Sequence, residues 1–157
     1  MSPVAVRFLA DVPGHAATLA RWHHAQWGDL YSDWSLDVAT DELIDHATRR
    51  GMPTTLVAMQ GDQPLGSVSL VLEDAPELRG HGDAWLASLY VVPEARGLGL
   101  GVRLVKELVS FAAQAKVERL WLFTPEHASF YARLGWRPQG CAKLSGVPVQ
   151  LMDIVPA

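Results

Sequence analysis

Cysteine and long hydrophobic runs are scarce in this sequence, and each scarcity excludes a class of protein. Cys141 is the only cysteine among 157 residues, which excludes an intramolecular disulfide and a cysteine-based metal site. No apolar stretch approaches the roughly 18 residues that a membrane-spanning helix needs. The first residues also lack the basic and apolar segments of a secretory signal. We therefore expect a cytoplasmic protein that does not enter a membrane.

Positive charge is also in short supply, with 13 Lys and Arg residues against 17 Asp and Glu residues and a net charge of −4. This balance argues against nucleic acid as the main partner. Residues 1–92 carry twelve acidic and five basic side chains, whereas residues 93–157 carry five and eight. The basic third suits a phosphorylated ligand and the acidic remainder suits a cationic one, although a chance scatter of surface charge explains the difference equally well.

Hydrophobic residues are plentiful: they make up 49% of the chain and include six Trp, which is enough for the core of one domain over residues 1–157. No internal repeat or linker interrupts the chain. Ser35 is the predicted cap of the second helix and Gly51 its stop. The order βααβββαβαββ indicates a mixed α/β sheet. The periodicity predicts helices at residues 14–27, 36–50, 102–115 and 126–134, and strands at 4–9, 54–59, 65–72, 84–92, 118–123, 136–141 and 147–154.

A glycine-rich turn follows the predicted strand at residues 84–92 and leads directly into a helix. Its glycines at positions 97, 99 and 101 place no side chain in the way, so successive backbone N–H groups can converge on an anion at the positive end of that helix. Arg96 adds a charge-assisted donor. The turn therefore predicts a phosphate-binding loop made of Arg96, Gly97, Leu98, Gly99, Leu100, Gly101 and Val102.

Two well-known phosphate loops do not fit this turn. Val102 stands where the GxxxxGK[ST] loop needs Lys, and the glycine spacing is GxGxG rather than the GxGxxG of dinucleotide-binding folds. The remaining pattern, R-x-x-G-x-G at residues 96–101, resembles the acetyl-CoA pyrophosphate loop of the GCN5-related N-acetyltransferase (GNAT) superfamily. Residues 130–136, Phe-Tyr-Ala-Arg-Leu-Gly-Trp, are similar to that family's Y-x-x-x-G-[FW] signature. The resemblance extends over nearly the whole chain in element order, and these two stretches are its specific parts.

The resemblance implies a mostly antiparallel sheet flanked by helices, with acetyl-CoA as cosubstrate. In this family the strand before the loop splays from its neighbour, and its backbone pairs with the pantetheine arm, here at Leu89, Tyr90 and Val91. The N–H of Val91 would then stabilise the oxyanion of the thioester. Tyr131 matches the family's general acid, whose phenol, with an ordinary pKa of about 10, is protonated at neutral pH. Phe130 beside it is assigned to the cofactor site.

The resemblance does not identify the residue that deprotonates the amine. Many relatives carry a Glu on the strand before the loop, but residues 85–88, Trp-Leu-Ala-Ser, contain no carboxylate. Orientation of the two reactants also lowers the barrier. A second departure is Thr124-Pro125, where many relatives place an Asn that binds the cofactor; here Thr124 can cap the last helix instead. The candidates for the base are a chain of water molecules, His81, Asp83, Glu126 and His127.

The amine acceptor is expected to contact the segment at residues 27–34 and the last strand pair. That segment is rich in aromatic and acidic residues, which suit an amine with an apolar or sugar body. The predicted acceptor contacts are Tyr31, Trp34 and Trp85, although Trp34 equally suits a core position. His23 and His24 lack the i, i+4 spacing of a zinc site, so no metal is expected.

The leading function is therefore acetyl-CoA-dependent N-acetylation of a primary amine on a small molecule, such as a polyamine, an aminoglycoside or an amino-acid-like amine. Acetylation of a protein N-terminus or lysine is one alternative, since residues 124–131 look somewhat like the branch that includes the actin N-terminal acetyltransferase. A non-catalytic acyl-CoA-binding module is the other. We expect a monomer or a homodimer.

Overall fold

The computed structural model describes residues 3–30, 33–72, 74–75 and 82–157. Tyr31 and His81, two of the candidate site residues, lie outside these ranges. Within them the elements follow the predicted order. The helices are α1 (Ala16–Trp27), α2 (Leu36–His46), α3 (Leu100–Gln114) and α4 (Ala128–Ala132). The strands are β1 (Val4–Phe8), β2 (Thr54–Gln60), β3 (Gln63–Val71), β4 (Trp85–Val91), β5 (Leu120–Thr124), β6 (Arg137–Leu144) and β7 (Val147–Ile154).

The strands of the described residues form one seven-stranded sheet in the order β1-β2-β3-β4-β5-β7-β6. Each neighbouring pair is antiparallel except β4 and β5, which run parallel. That pair is parallel because α3 crosses over between the two strands and returns the chain to the same end of the sheet. The expectation of a mixed, mostly antiparallel sheet flanked by helices is confirmed.

Helices cover both faces of the first half of the sheet. Alternate residues of β2 point to opposite faces. Leu56 and Ala58 pack in the cluster that includes α3, whereas Val57 and Met59 pack with α1 and α2. β2 is therefore held between two helical layers, and the next two strands of the sheet, β3 and β4, lie at its centre.

The second helix, α2, ends at His46 rather than at residue 50. The N–H and the hydroxyl of Thr48 both donate to the carbonyl of Asp45, at 3.1 and 2.6 Å. A side chain that binds a nearby carbonyl in this way competes with continuation of the helix. The predicted stop at Gly51 is therefore wrong. The predicted cap is confirmed, since Oγ of Ser35 accepts from the N–H of Val38 at 3.1 Å.

Most other element boundaries also differ from the prediction by one to three residues, and the start of α3 and the end of β6 are two of them. α3 begins at Leu100, two residues early, because Gly99 already caps the helix. β6 extends to Leu144, and the hairpin to β7 closes through Ser145 and Gly146, whose φ angles of 49° and 78° suit a tight β-hairpin turn. No helix in the described part of the chain is long and apolar enough to span a membrane.

Candidate active site

A bulge in β4 opens the sheet at its centre. β4 has one residue more than β3 in the stretch where Ser67 pairs with Tyr90 and Ser69 pairs with Ala87. Ser88 takes up the extra length in a left-handed conformation, with a φ of 57°. In the described residues, β4 and β5 share a single register pair, at Trp85, before the bulge. The two strands therefore diverge beyond it and leave a gap.

The backbone of β4 beyond the bulge faces this gap. Val92 donates its N–H to the carbonyl of Leu65 at 2.9 Å, on the β3 side. Because successive N–H groups of a strand point to alternate edges, the N–H of Val91 points to the opposite edge, into the gap. The carbonyl of Val91 accepts a hydrogen bond from Nε of Arg96 at 2.9 Å. One side of the gap is thus a strand edge with which an extended ligand can pair.

The glycine-rich loop continues from this strand and has an open outer surface. Gly97 and Gly99 have φ angles of 81° and 82°, in the left-handed region that favours glycine. A Cβ atom at either position would contact nothing within 4 Å, so backbone conformation rather than crowding requires glycine there. The first turn of α3 follows, and its N–H groups have no acceptors within the helix. The loop therefore presents a surface suited to an anion.

The inner side of the loop is anchored to the core. Leu100 is 7% exposed and packs with Val92 and Ala95, whereas Leu98 is 74% exposed. A groove of about 480 Å³ begins at the loop and follows α3. Its basic side chains suit a ligand that carries several phosphates. The groove is lined by Gly99, Val102, Arg103, Lys106, Glu107 and Ser110.

Phe130 brings the two sequence motifs into contact. Its ring is the nearest group to a Cβ atom placed on Gly101, at 3.6 Å. The same ring packs edge-on against Tyr131, with ring centroids 5.1 Å apart, and Trp136 packs against Tyr131 at 6.0 Å. Burial, followed by the negative charge of Asp74, raises the pKa of the Tyr131 phenol above its ordinary value. The phenol is therefore protonated at neutral pH and is available as a donor.

A carboxylate that sequence reasoning missed lies near Tyr131. Asp74 follows β3 and is half-buried, and burial together with the charge of Glu42 raises its pKa to about 7. Glu42 is on α2, where its Oε1 accepts from Nε1 of Trp34 at 3.1 Å. Side chains from α2, the segment after β3, and α4 thus influence one another. The segment containing Asp74 has no periodicity, so the acidic composition of residues 51–92 was its only signal.

The base candidates suggested by the sequence are less well placed. Asp83, Glu126 and His127 are exposed, and their side chains make no hydrogen bond to another residue in the described part of the chain. Oγ1 of Thr124 accepts from the N–H of His127 at 2.9 Å, so the Thr124 side chain binds the backbone just before α4. Among the described residues, no group of three or more His, Cys, Asp or Glu side chains is arranged to hold a metal ion.

Of the three predicted acceptor contacts, the structure describes Trp34 and Trp85. Trp34 is half-buried beside Glu42. Nε2 of His24 lies 3.1 Å from the carbonyl oxygen of Trp34. Trp85 is 2% exposed and packs in the core against Trp121, with ring centroids 6.1 Å apart. Its Nε1 donates to the carbonyl of Gly82 at 3.0 Å. The expectation that Trp85 contacts an acceptor is therefore wrong, because its side chain is enclosed by the protein.

A second aromatic cluster was not foreseen from the sequence. The Tyr90 ring lies 5.5 Å from Trp22 and 6.2 Å from Trp27, both on α1. The guanidinium of Arg96 lies over the same ring, 5.6 Å from its centroid. Tyr90 therefore fixes α1 and the loop to the strand that borders the gap.

Comparison with known proteins agrees with this architecture. Residues 17–136 match the model of the acetyltransferase (GNAT) family. A putative GNAT acetyltransferase from Desulfovibrio desulfuricans is 21% identical with a TM-score of 0.72, and the match covers 99% of this chain and 100% of that one. An aminoglycoside 6'-N-acetyltransferase complexed with coenzyme A is 17% identical with a TM-score of 0.74, over 98% and 97% of the two chains.

A third similar structure is that of mutant forms of the spermidine/spermine N-acetyltransferase SpeG from Vibrio cholerae. It is 17% identical with a TM-score of 0.68, over 98% of this chain and 95% of that one. These likenesses concern the fold, whereas the family match extends over most of the sequence and both motifs. The chain belongs to the GNAT family of acetyltransferases, enzymes that use acetyl-CoA as cosubstrate.

Proposed function

We propose that this enzyme transfers the acetyl group of acetyl-CoA to the primary amine of a small cationic molecule, such as a polyamine, an aminoglycoside or an amino-acid-like amine. The observation that carries the proposal is the gap between β4 and β5. The N–H of Val91 points into it from one side, and β5 leads directly to α4, which carries Tyr131, on the other. In this proposal a donor for a developing oxyanion and a donor for a leaving group flank one opening.

In this proposal the glycine-rich loop binds the pyrophosphate of acetyl-CoA, and Arg103 and Lys106 supply positive charge beside it. The backbone edge at Leu89, Tyr90 and Val91 pairs with the pantetheine arm. What supports these roles is the open surface over the loop and the strand edge that faces the gap. Both roles therefore fall to backbone groups that the rest of the protein leaves uncovered.

The first prediction concerns the loop. Gly99→Asp places a carboxylate where the phosphate is expected and strains a backbone with a φ of 82°. We expect the affinity for coenzyme A to fall by about 100-fold or more, measured by calorimetry. Gly146→Asp is the matched control, because Gly146 has a φ of 78° and an equally open Cβ position in the β6–β7 turn. Equal affinities for coenzyme A in the two variants would show that the loop does not bind the phosphate.

Two groups of this chain act on the acetyl transfer itself. The N–H of Val91 stabilises negative charge that develops on the thioester oxygen. Tyr131 donates its proton to the departing sulfur, a role that suits a buried and protonated phenol. Acetyl-CoA supplies the activated acetyl group for this step. The support for the second role is the position of Tyr131 beside Phe130 and the loop, and the rise of its pKa through burial.

The second prediction tests Tyr131. Tyr131→Phe keeps the ring packed between Phe130 and Trp136 but removes the proton donor. We expect kcat to fall by about 100-fold on an acceptor for which chemistry is rate-limiting, while coenzyme A affinity is retained. Tyr90→Phe is the control, since it also removes one phenol hydroxyl near the gap. A Tyr131→Phe enzyme as fast as that control would leave the phenol with a packing role only.

Asp74 is the proposed general base for the acceptor ammonium. Catalytic bases work best when their pKa lies near the operating pH, and burial with the charge of Glu42 gives Asp74 a pKa of about 7. Its charge also acts on Tyr131. A proton that Asp74 takes from the ammonium can therefore return to the phenol after the phenol has protonated the sulfur.

The third prediction is a pH profile. Asp74 must be ionised to accept a proton, so kcat/KM should decline as the pH falls below about 7. Asp74→Asn should lower kcat/KM by about 100-fold and abolish this limb. Glu42→Gln should move the limb to lower pH, because it removes the negative charge that raises the pKa of Asp74. Asp83→Asn, an exposed site on the same β3–β4 connection, is the control. If kcat/KM of Asp74→Asn still declines below about pH 7 as in the wild type, another group is the base.

The acceptor class is argued from charge and aromatic surface. The charge of Asp74 acts on Tyr131 and that of Glu42 acts on Asp74, and Nε1 of Trp34 donates to Glu42. Such a surface attracts a molecule with more than one ammonium group. Two of the similar structures are an aminoglycoside acetyltransferase and a spermidine/spermine acetyltransferase, which is consistent with acceptors of this kind.

The fourth prediction is the outcome of a turnover assay across polyamines, aminoglycosides, amino acids and N-terminal peptides. We expect a polycationic amine to have the highest kcat/KM, with a KM that rises with ionic strength, because salt screens exposed charges beyond about 8 Å. If an acidic N-terminal peptide is the best acceptor, the protein-acetylating alternative replaces this proposal. Acetyl-CoA binding without turnover on any acceptor would favour the non-catalytic alternative.

A further inference from the structure

The side chain of Arg96 is turned back from the glycine-rich loop onto the strand that borders the gap. Its Nε donates to the carbonyl of Val91 at 2.9 Å, and its guanidinium carbon lies 5.6 Å from the centre of the Tyr90 ring. In the described part of the chain, no carboxylate forms an ion pair with Arg96. Its contacts are therefore with β4, although the sequence predicted that it binds a phosphate.

The carbonyl that Arg96 binds belongs to the open edge of β4. The N–H and the C=O of one strand residue point to the same side of the strand. On the β3 side, the N–H of Val92 donates to the carbonyl of Leu65, so both groups of Val91 face the gap. Val91 thus offers the gap one donor and one acceptor, and Arg96 already binds the acceptor.

Arg96 takes the place of a neighbouring strand at this position. β4 and β5 share a single register pair in the described residues, before the bulge, so Val91 is not paired with β5. The Tyr90 ring supports the guanidinium and is itself packed against Trp22 and Trp27, at 5.5 and 6.2 Å. A hydrogen bond and a ring contact therefore hold Arg96 against the strand edge.

The proposed function requires the same carbonyl. An extended ligand that pairs with a strand edge uses both the N–H and the C=O groups of that edge. An N–H of the pantetheine arm that pairs with Val91 would place its nitrogen about 2.9 Å from the carbonyl oxygen. Nε of Arg96 lies at that distance in this structure. The pantetheine arm and Arg96 therefore compete for one acceptor.

A phosphate on the loop offers Arg96 a stronger partner. Arg96 directly precedes Gly97, the first glycine of the loop to which the pyrophosphate is assigned. A guanidinium can bind a phosphate through two parallel charge-assisted hydrogen bonds, whereas its bond to Val91 is a single bond to a neutral oxygen. A change of partner from the carbonyl to the phosphate is therefore favourable, and it uncovers the strand edge.

We propose that Arg96 makes the enzyme selective for acetyl donors that carry a phosphate. Arg96 covers the carbonyl of Val91 until a pyrophosphate on the loop draws the guanidinium away, and the pantetheine arm then pairs with that carbonyl. A thioester without a phosphate has to displace Arg96 without this compensation. The inference rests on the proposed function, which assigns the pantetheine arm to this edge and the pyrophosphate to the loop.

The experiment compares acetyl-CoA with acetyl-pantetheine, which has the same thioester and the same arm but no phosphate. Arg96→Met keeps an unbranched side chain beside Tyr90 and removes the hydrogen-bond donor. We expect the affinity for acetyl-CoA, measured by calorimetry, to fall by about 10-fold because a phosphate contact is lost. The affinity for acetyl-pantetheine, measured by titration of the Val91 amide signal, should rise by about 5-fold because the carbonyl is uncovered.

Arg103→Met is the matched control. Arg103 is also exposed, and its Nη1 also donates to a backbone carbonyl, that of Val4 at 2.7 Å. Val4 is on β1, three strands from β4 in the sheet. We expect this variant to have a lower affinity for acetyl-CoA, because it removes a positive charge beside the loop. Its affinity for acetyl-pantetheine should not rise.

A second measurement follows the change of partner itself. Inorganic pyrophosphate alone should shift the ¹⁵Nε signal of Arg96 and the ¹³C signal of the Val91 carbonyl in the wild-type protein. The carbonyl signal should not move in Arg96→Met, because that carbonyl has no guanidinium to lose. A wild-type carbonyl signal that stays in place at saturating pyrophosphate would overturn the inference.

The other outcomes separate this inference from the proposed function. If acetyl-pantetheine binds Arg96→Met with wild-type affinity, Arg96 is a phosphate contact only, and if it binds more weakly, Arg96 supports the strand; both results overturn the inference. An unchanged affinity for acetyl-CoA in Arg96→Met would also overturn it. Absence of turnover on every amine would overturn the proposed acetyl transfer, whereas opposite changes in the two affinities would still support the selectivity.

Discussion

The bulge at Ser88 is the constraint on which the rest of the site depends. A left-handed conformation at a residue other than glycine costs on the order of 1 to 3 kcal/mol, and it persists here because the pairs on either side, at Ala87 and Tyr90, fix the register with β3. Without the extra residue, β4 would continue alongside β5 and its edge would be occupied. With it, the N–H of Val91 faces an open gap.

The loop and α4 depend on this opening because both meet at its rim. Leu100 anchors the loop to the core, and Phe130 joins α4 to the start of α3 at Gly101. Tyr131 then occupies a buried position beside Phe130, where low solvation keeps the phenol protonated. The surface of the glycine-rich loop, the strand edge and the phenol are therefore parts of one packed unit.

The sequence predicted the parts of this unit that local backbone chemistry determines, and missed those that depend on packing between distant segments. The loop was predictable because Gly97 and Gly99 have φ angles that favour glycine. The side-chain directions in β4 were not: Leu86 and Leu89 both pack in the cluster with α3, although residues three apart in a regular strand face opposite sides. The bulge reverses the alternation. Asp74 escaped notice because it lies far from Tyr131 in the sequence, and the two come close only in the folded chain.

We propose that acetyl transfer occurs in the gap beyond the bulge. The most direct measurement is a crystal structure of the complex with acetyl-CoA, supported by amide shifts of ¹⁵N-labelled Val91 on titration. The account predicts the pyrophosphate on the backbone of residues 97–102 and the thioester oxygen at about 3 Å from the N of Val91. An acetyl-CoA molecule that occupies the loop but leaves the gap empty, with no shift at Val91, would contradict it.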